Sequence, residues 1–125
     1  MTPSLNVLVT AASRRVPLVR AFSRALATLG VRGRVVVTDV NPLSPAVHVA
    51  DAAYEVPLST APGYLDVVRR ICEAEDIGLV VPTIDDELPV FAEAVPQFCA
   101  TGRTVAVSSL DTTLACNDKI GRAHV

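Results

Sequence analysis

The sequence predicts an α/β domain, built as a doubly wound, mainly parallel sheet of four to five strands with helices on both faces. Four near-continuous apolar runs are typical of strands that are covered on both faces, as parallel sheets require. Between these runs, apolar residues recur at helical spacing. A polar loop directly follows each of the first three runs, where a parallel sheet collects its ligands.

Length and composition favour one domain and exclude several classes of function. The chain has 125 residues, enough for a core on both faces of a sheet. Its net charge is -2 and its arginines are scattered, which argues against a nucleic-acid partner. The first apolar run soon ends at a polar loop, so it predicts a strand and neither a signal peptide nor a membrane span. Three widely spaced cysteines without metal-ligand spacing indicate idle thiols in a reducing, cytoplasmic compartment.

The strands and helices alternate along the chain. The predicted strands are Leu5 to Val9, Val35 to Val37, Ile77 to Val81 and Val105 to Val107. Tyr54 to Val56 adds a short edge strand, because Pro57 cannot donate a hydrogen bond to a neighbouring strand. Right-handed crossovers between parallel strands then make the sheet doubly wound.

Helix boundaries follow from glycine, proline and capping residues. The helical stripes span residues 18 to 29, 64 to 72 and 88 to 99. The first stripe stops at Gly30, a natural C-terminal cap, and Pro62 stands near the start of the second. Pro89 and Pro96 predict that the third helix starts late and bends or breaks. A fourth helix is predicted to begin at Ser109 as its N-cap.

The first polar loop, Thr10 to Arg15, joins the first strand to the first helix. Free backbone N–H groups there favour an anion, and its small residues allow close approach. The loop lacks glycine, so the dinucleotide-binding fingerprint is absent. Arg14 either clamps a carboxylate or phosphate or is solvated while Ser13 caps the helix, and both interpretations stand. Solvation is favoured for Arg15.

The second and third loops carry the remaining candidates. Asp39 and Asn41 either bond nearby backbone amides in a turn or form a polar wall of the same pocket. Carboxylates at the start of the third helix are stabilised by its dipole, which is a sufficient structural cause. Alternatively, a carboxylate beside Thr83 holds a substrate ammonium, with Asp85 as first candidate and Glu87 as second.

The sequence contains no Ser/His/Asp set, Cys/His pair or metal cluster, so no catalytic or metal-binding residue is predicted. The predicted residues are all substrate-binding: Thr10, Ser13, Arg14, Asp39, Asn41, Thr83, Asp85 and Glu87.

Five groups of residues, in order along the chain, resemble the N-terminal domain of ATP-grasp ligases. They are Asn6 to Thr10 with Ser13 to Arg15; Asp39 with Asn41 to Leu43, Pro45-Ala46 and Ala50-Asp51; Pro62 to Tyr64; Pro82 to Asp85 with Glu87-Leu88; and Cys116 to Lys119. The resemblance is to carbamoyl-phosphate-synthase-like and pyrrolysine-biosynthesis-ligase-like proteins. It covers nearly the whole chain through Lys119. One departure is Ser13, where that family usually has glycine.

The resemblance implies a Rossmann-like, pre-ATP-grasp domain over residues 1–116 that binds substrate. Residues 117–119 resemble the entry into a further domain that grips ATP and Mg²⁺. Such enzymes phosphorylate a carboxylate and let an amine attack the acyl phosphate. The implied partner is a small-molecule carboxylate or amine, and a homo-oligomer is compatible with the sequence. Asp85 and Glu87 resemble the acidic residues that face the substrate, with Thr10 to Arg14 opposite.

Residues 120–125 affect which domains of the enzyme this chain is expected to contain. Residues 120–125 match the translation of a common sequencing adapter, so they are expected to be non-native and the ATP-grasp domain to be missing. The chain alone is then expected to be inactive and to bind no cofactor. The alternative is a stand-alone Rossmann-type module that binds a nucleotide or metabolite. An open frame downstream with a glycine-rich phosphate loop favours the ligase.

Overall fold

The described part of the chain folds around one sheet of five parallel strands. The computed structural model describes residues 3–13, 15–84 and 87–106. The strands are β1 (Asn6–Thr10), β2 (Val35–Asp39), β3 (Ala52–Glu55), β4 (Ile77–Pro82) and β5 (Thr104–Val105). The helices are α1 (Val16–Thr28), α2 (Pro45–Val49), α3 (Tyr64–Ala74) and α4 (Leu88–Ala100). This arrangement confirms the predicted α/β class, including the edge strand that precedes Pro57.

Side chains on successive strand residues point to opposite faces of the sheet, and both faces are covered. Val7 and Val9 of β1 pack on one face with Val19 and Leu26 of α1. Leu8, between them, packs on the other face in a cluster formed with α3 and α4. The near-continuous apolar runs therefore have the cause that was predicted for them, burial on both sides.

The strand order β3-β2-β1-β4-β5 places the first strand in the middle of the sheet. The chain winds from β1 outward to β3, then crosses back to β4 on the other side of β1. Ligand-binding crevices form at the carboxyl ends of strands where the winding reverses in this way. Val9 pairs with Val37 of β2, and Thr10 pairs with Pro82 of β4, so the first three predicted loops leave the sheet side by side.

Two helices differ from the prediction. The segment between β2 and β3, where no helix was predicted, contains α2, a single short helix with Pro45 in its first turn, where a missing N–H costs nothing. The third predicted helix, α4, starts at Leu88 and runs through Pro96 without a break. Phe91, Ala94, Val95 and Phe98 are buried on one side of it, and this burial offsets the hydrogen bond that Pro96 cannot donate.

The other helix boundaries agree with the sequence. The helix α1 ends just before Gly30, which has a positive φ of 67°. The predicted helix at Ser109 and the end of the last predicted strand lie outside the described residues. None of the helices in the described ranges is long and apolar enough to cross a membrane.

Candidate functional site

A cavity of about 200 Å³ lies at the carboxyl edge of the sheet. All three polar loops contribute to its lining, with Ala11 from the first, Asp39 and Val40 from the second, and Ile84 and Glu87 from the third. The segment after β3 closes the remaining side, with Val56 to Thr60. The lining is mostly apolar, so the two carboxylates are its main polar feature.

Glu87 is the most buried charged residue of the site, only 3% exposed. Its Oε1 accepts a hydrogen bond from the Thr10 hydroxyl at 2.6 Å, and its Oε2 accepts one from the Tyr64 hydroxyl at 2.5 Å. Thr10 ends β1, Tyr64 begins α3, and Glu87 immediately precedes α4. One carboxylate therefore holds three elements together beside the cavity.

Burial sets the electrostatics of this cluster. It raises the pKa of Glu87 above the ordinary 4.5, against the opposing effect of the hydrogen bonds from Thr10 and Tyr64. The negative charge of Asp39 raises the pKa of Glu87 further. Burial, followed by the charge of Glu87, also raises the pKa of Tyr64, so the phenol stays protonated and remains a donor.

Asp39 ends β2 and is 7% exposed. Its Oδ1 accepts a hydrogen bond from the backbone N–H of Asn41 at 3.3 Å. Its Oδ2 is buried and has no hydrogen-bond partner among the residues that the structure describes. A buried carboxylate oxygen without a partner is costly, and Asp39 lines the cavity, so this residue points to a ligand.

The polar groups at the amino edge of the sheet satisfy one another. The Asn6 side chain accepts from the backbone N–H of Arg34 at 3.0 Å and donates to the carbonyl of Glu75 at 2.8 Å. The Glu75 carboxylate in turn accepts from Arg34 at 2.5 Å and from the hydroxyl of Tyr54. This edge of the sheet is thus held by a closed structural network.

A larger cavity of about 340 Å³ lies between α3 and α4. Its one described cation is Arg69, which donates to Gln97 at 2.7 Å and forms an ion pair with Asp66 on its own helix. These groups already bond to each other, so they present no unpaired charge to a ligand.

Thr83 locks the third loop to the first. Its hydroxyl lies 2.9 Å from the Thr10 carbonyl and 2.8 Å from the Ala11 carbonyl, so it can donate to either. The guanidinium of Arg15 donates to the Thr83 carbonyl at 3.2 Å. Thr10 and Thr83 therefore shape the site by positioning its loops. Arg15 is exposed, as solvation requires, but it also bonds to this loop.

The interpretation of Ser13 as the cap of α1 is wrong. Arg15 occupies the N-cap position, and no side chain caps the helix there. Ser13 has a positive φ of 41°, and Ala11 has one of 51°. This left-handed backbone turns the chain sharply, so the Ser13 carbonyl accepts the N–H of Ala46 at 3.0 Å and its side chain faces solvent.

The other candidates are placed as follows. Asn41 is exposed and its Oδ1 accepts the N–H of Leu43 at 2.9 Å, so it forms the turn that one interpretation predicted. Arg14 and Asp85 lie outside the described residues.

Tyr64 is the residue bonded to Glu87 that sequence reasoning missed. It was assigned to the apolar stripe of α3, and its ring does pack edge-on against Phe91 at 6.1 Å. The signal that could have found it is chemical, because a buried tyrosine hydroxyl nearly always needs a partner. Gly63 before it has a φ of 84°, which lets α3 start with Tyr64 at the site.

Metal and thiol chemistry find little support in the described ranges. They contain no group of three or more His, Cys, Asp or Glu residues able to hold a metal ion. Cys72 is free and buried, and burial raises the pKa of its thiol to about 11. Cys99 is disulfide-bonded, so the expectation of an idle thiol is wrong for this residue.

Comparisons with known proteins agree with this architecture. The sequence model described as the N-terminal domain of PylC-like proteins matches residues 7–106. Among solved structures, a single-chain, multi-domain long-chain acyl-CoA carboxylase is 28% identical, with a TM-score of 0.56 over 82% of this chain and 10% of its own. A multifunctional pyruvate carboxylase from Rhizobium etli is 22% identical, with a TM-score of 0.56 over 82% of this chain and 11% of its own, and shows likeness of fold. The chain thus spans about a tenth of each carboxylase. No curated protein matches.

Proposed function

Because the chain belongs to the family of PylC-like N-terminal domains, we propose that it is the substrate-side domain of an ATP-grasp-type ligase that joins a carboxylate to an amine. In the proposed reaction the carboxylate is activated as an acyl phosphate, the amine attacks the acyl carbon, and phosphate leaves. The role proposed for this domain is to bind and orient a small-molecule substrate at the carboxyl edge of its sheet.

The observation that carries the proposal is that Asp39 lines the cavity and that its buried Oδ2 has no partner in the described ranges. The hydrogen bonds that Thr83 donates to Thr10 and that Glu87 accepts from Thr10 fix the loops before a substrate arrives. Preformed loops lower the entropy cost of binding. Ser59 and Thr60 line the cavity, but neither hydroxyl is hydrogen-bonded to Asp39 or Glu87 in the described ranges, so binding is the better supported role.

The described residues do not fit ATP with Mg²⁺. The loop from Thr10 to Arg15 has no glycine for close approach to phosphates. The described ranges also offer no set of acidic ligands for the metal. In the proposal, ATP and Mg²⁺ are therefore bound by another domain of the enzyme, and no chemical step is assigned to this chain.

Calorimetric titration of the 125-residue chain with Mg-ATP tests the proposal against its main alternative, a stand-alone nucleotide-binding module. We expect no binding at micromolar nucleotide, because phosphate-binding elements are missing from the described site. Micromolar affinity would contradict the proposal and favour the nucleotide-binding module.

A further inference from the structure

We propose that the carboxyl-edge cavity accepts the cationic end of an aliphatic amine, with Asp39 Oδ2 as its ion-pair partner and the alkyl chain against the apolar wall. The inference rests on the proposed function, since it names the substrate class of that site. Of the two substrates in the proposed reaction, the amine and not the carboxylate is assigned to this cavity.

The position of Asp39 supplies the anion. The residue is 7% exposed and lines the cavity, and its two oxygens differ in environment. Oδ1 is occupied by the N–H of Asn41, whereas Oδ2 is without a partner in the described ranges. Among the described residues, the other unpartnered buried side-chain atoms are two neutral hydroxyls and the Nε of Arg103, and none of their residues lines this cavity. An ammonium at Oδ2 would complete the hydrogen bonding of the carboxylate.

The charges around the cavity favour a cation. Its ionisable described lining residues are Asp39 and Glu87, both acids, and no Lys, Arg or His is among them. Hydrogen bonds from Thr10 and Tyr64 hold Glu87 in place, so its charge acts from a fixed position. A carboxylate or phosphate in this cavity would face two acids without a described counter-ion. An ammonium would be attracted by both.

The wall of the cavity favours an organic cation over a metal ion. Val40, Val56, Leu58 and Ile84 supply apolar surface around the carboxylates. Hard cations need six or more oxygen ligands, which this wall does not offer. The cavity holds about 200 Å³, below the range of about 300 to 1,000 Å³ typical of drug-sized ligands. A short alkylammonium, such as the end of a larger substrate, suits both its size and its lining.

Titration of the chain with n-butylammonium chloride, followed by protein amide NMR shifts, tests the proposal. Sodium butyrate and 1-butanol serve as probes of the same length with opposite or no charge. We expect butylammonium to bind saturably in the millimolar range and to shift the amides of Ala11, Val40 and Ile84. Butyrate should not bind, because it meets the two acids of the lining.

Asp39→Asn should weaken the binding of butylammonium by about tenfold or more, since it removes the charge from one strong hydrogen bond. The variant keeps Oδ1 as the acceptor for Asn41, so the turn is retained. Glu55→Gln is the matched control. Glu55 is exposed, pairs in register with Asp39 and does not line the cavity, so losing its charge should leave the affinity within about twofold.

Leu58→Ala provides a second variant that leaves the buried carboxylates intact. Leu58 is 62% exposed, so the fold should tolerate its truncation. The shorter side chain should weaken the binding of butylammonium by about threefold or more, because apolar contact is lost. The binding of methylammonium should weaken much less.

The inference would be overturned if butyrate bound as tightly as butylammonium or more tightly. It would also be overturned if Asp39→Asn bound butylammonium with unchanged affinity. The proposed function is judged separately, because the titration involves no ATP. If butylammonium binds as expected but the enzyme shows no ATP consumption that depends on an amine, the amine site is supported and the proposed ligase function is contradicted. If ATP consumption depends on an amine but Asp39→Asn binds butylammonium normally, the ligase stands and this site fails.

Discussion

Ser13 occupies a left-handed backbone conformation that favours glycine. The φ of Ser13 is 41°. The left-handed region costs an L residue about 1 to 2 kcal/mol, whereas glycine enters it freely. Glycine is thus favoured at this position by backbone geometry, whether or not a ligand approaches it.

Ser13→Gly is therefore expected to raise the free energy of unfolding by about 0.5 to 1 kcal/mol, after allowing for the greater freedom of glycine in the unfolded chain. Urea denaturation measures this change. Ser23→Gly, on an exposed turn of α1, is the control and should lower the free energy of unfolding by about 0.5 kcal/mol. A loss of stability in both variants would mean that Ser13 carries no backbone strain.

Individual residues were predictable where their chemistry is local. Asn41 was expected to bond a nearby amide and does so, because the bond spans two residues. Tyr64 and Glu87 are 23 residues apart, and their bond depends on the packing of α3 against α4. No periodicity in the sequence reports such a pair, so Tyr64 was assigned to the core alone.

Strands and helices were predictable where their apolar residues follow a clear pattern along the chain. The strands β1, β2 and β4 follow directly from runs of valine and leucine that both faces of the sheet bury. The five-residue helix α2 is too short to display a helical period, so the sequence could not reveal it. In α4, proline rules predicted a late start and a bend or break, but burial of aromatic residues on the sheet maintains the helix through Pro96.

Glu87 links β1, α3 and α4, and its burial makes the stability of this junction depend on pH. The folded state raises the pKa of Glu87 above 4.5, so it favours the protonated carboxyl more than the unfolded state does. The resulting stabilisation is complete below pH 4.5 and is lost as the pH rises through the folded-state pKa. Glu87→Gln cannot titrate and lacks this dependence.

We therefore expect the free energy of unfolding of the unmodified chain to fall relative to that of Glu87→Gln as the pH rises from 4.5 toward neutrality. Urea denaturation of both proteins at a series of pH values measures the difference. Glu93→Gln, on the exposed side of α4, is the control and should show no comparable trend. The burial of an ionisable group at this junction would be contradicted if the difference in free energy of unfolding between the unmodified chain and Glu87→Gln stayed constant with pH or changed in the opposite direction.

At the scale of the whole molecule, the sheet order explains why the site lies where it does. The winding reverses at β1, and the carboxyl ends of β1, β2 and β4 bring three separate loops to one cavity. Sequence analysis could predict this meeting from the fold class alone. It could not identify which carboxylate oxygen stays unpaired, because that depends on the exact turn after β2.

The role proposed for this domain is to bind the amine for an ATP-grasp-type ligase. The most direct measurement uses the protein expressed from the full open reading frame of the source gene, with ADP release followed over a panel of aliphatic amines and amino acids. We predict ADP release that requires an amine. Asp39→Asn should raise the KM for that amine by about tenfold or more while leaving the KM for ATP unchanged. ADP release that needs no amine, or an Asp39→Asn variant with altered KM for ATP alone, would contradict the claim.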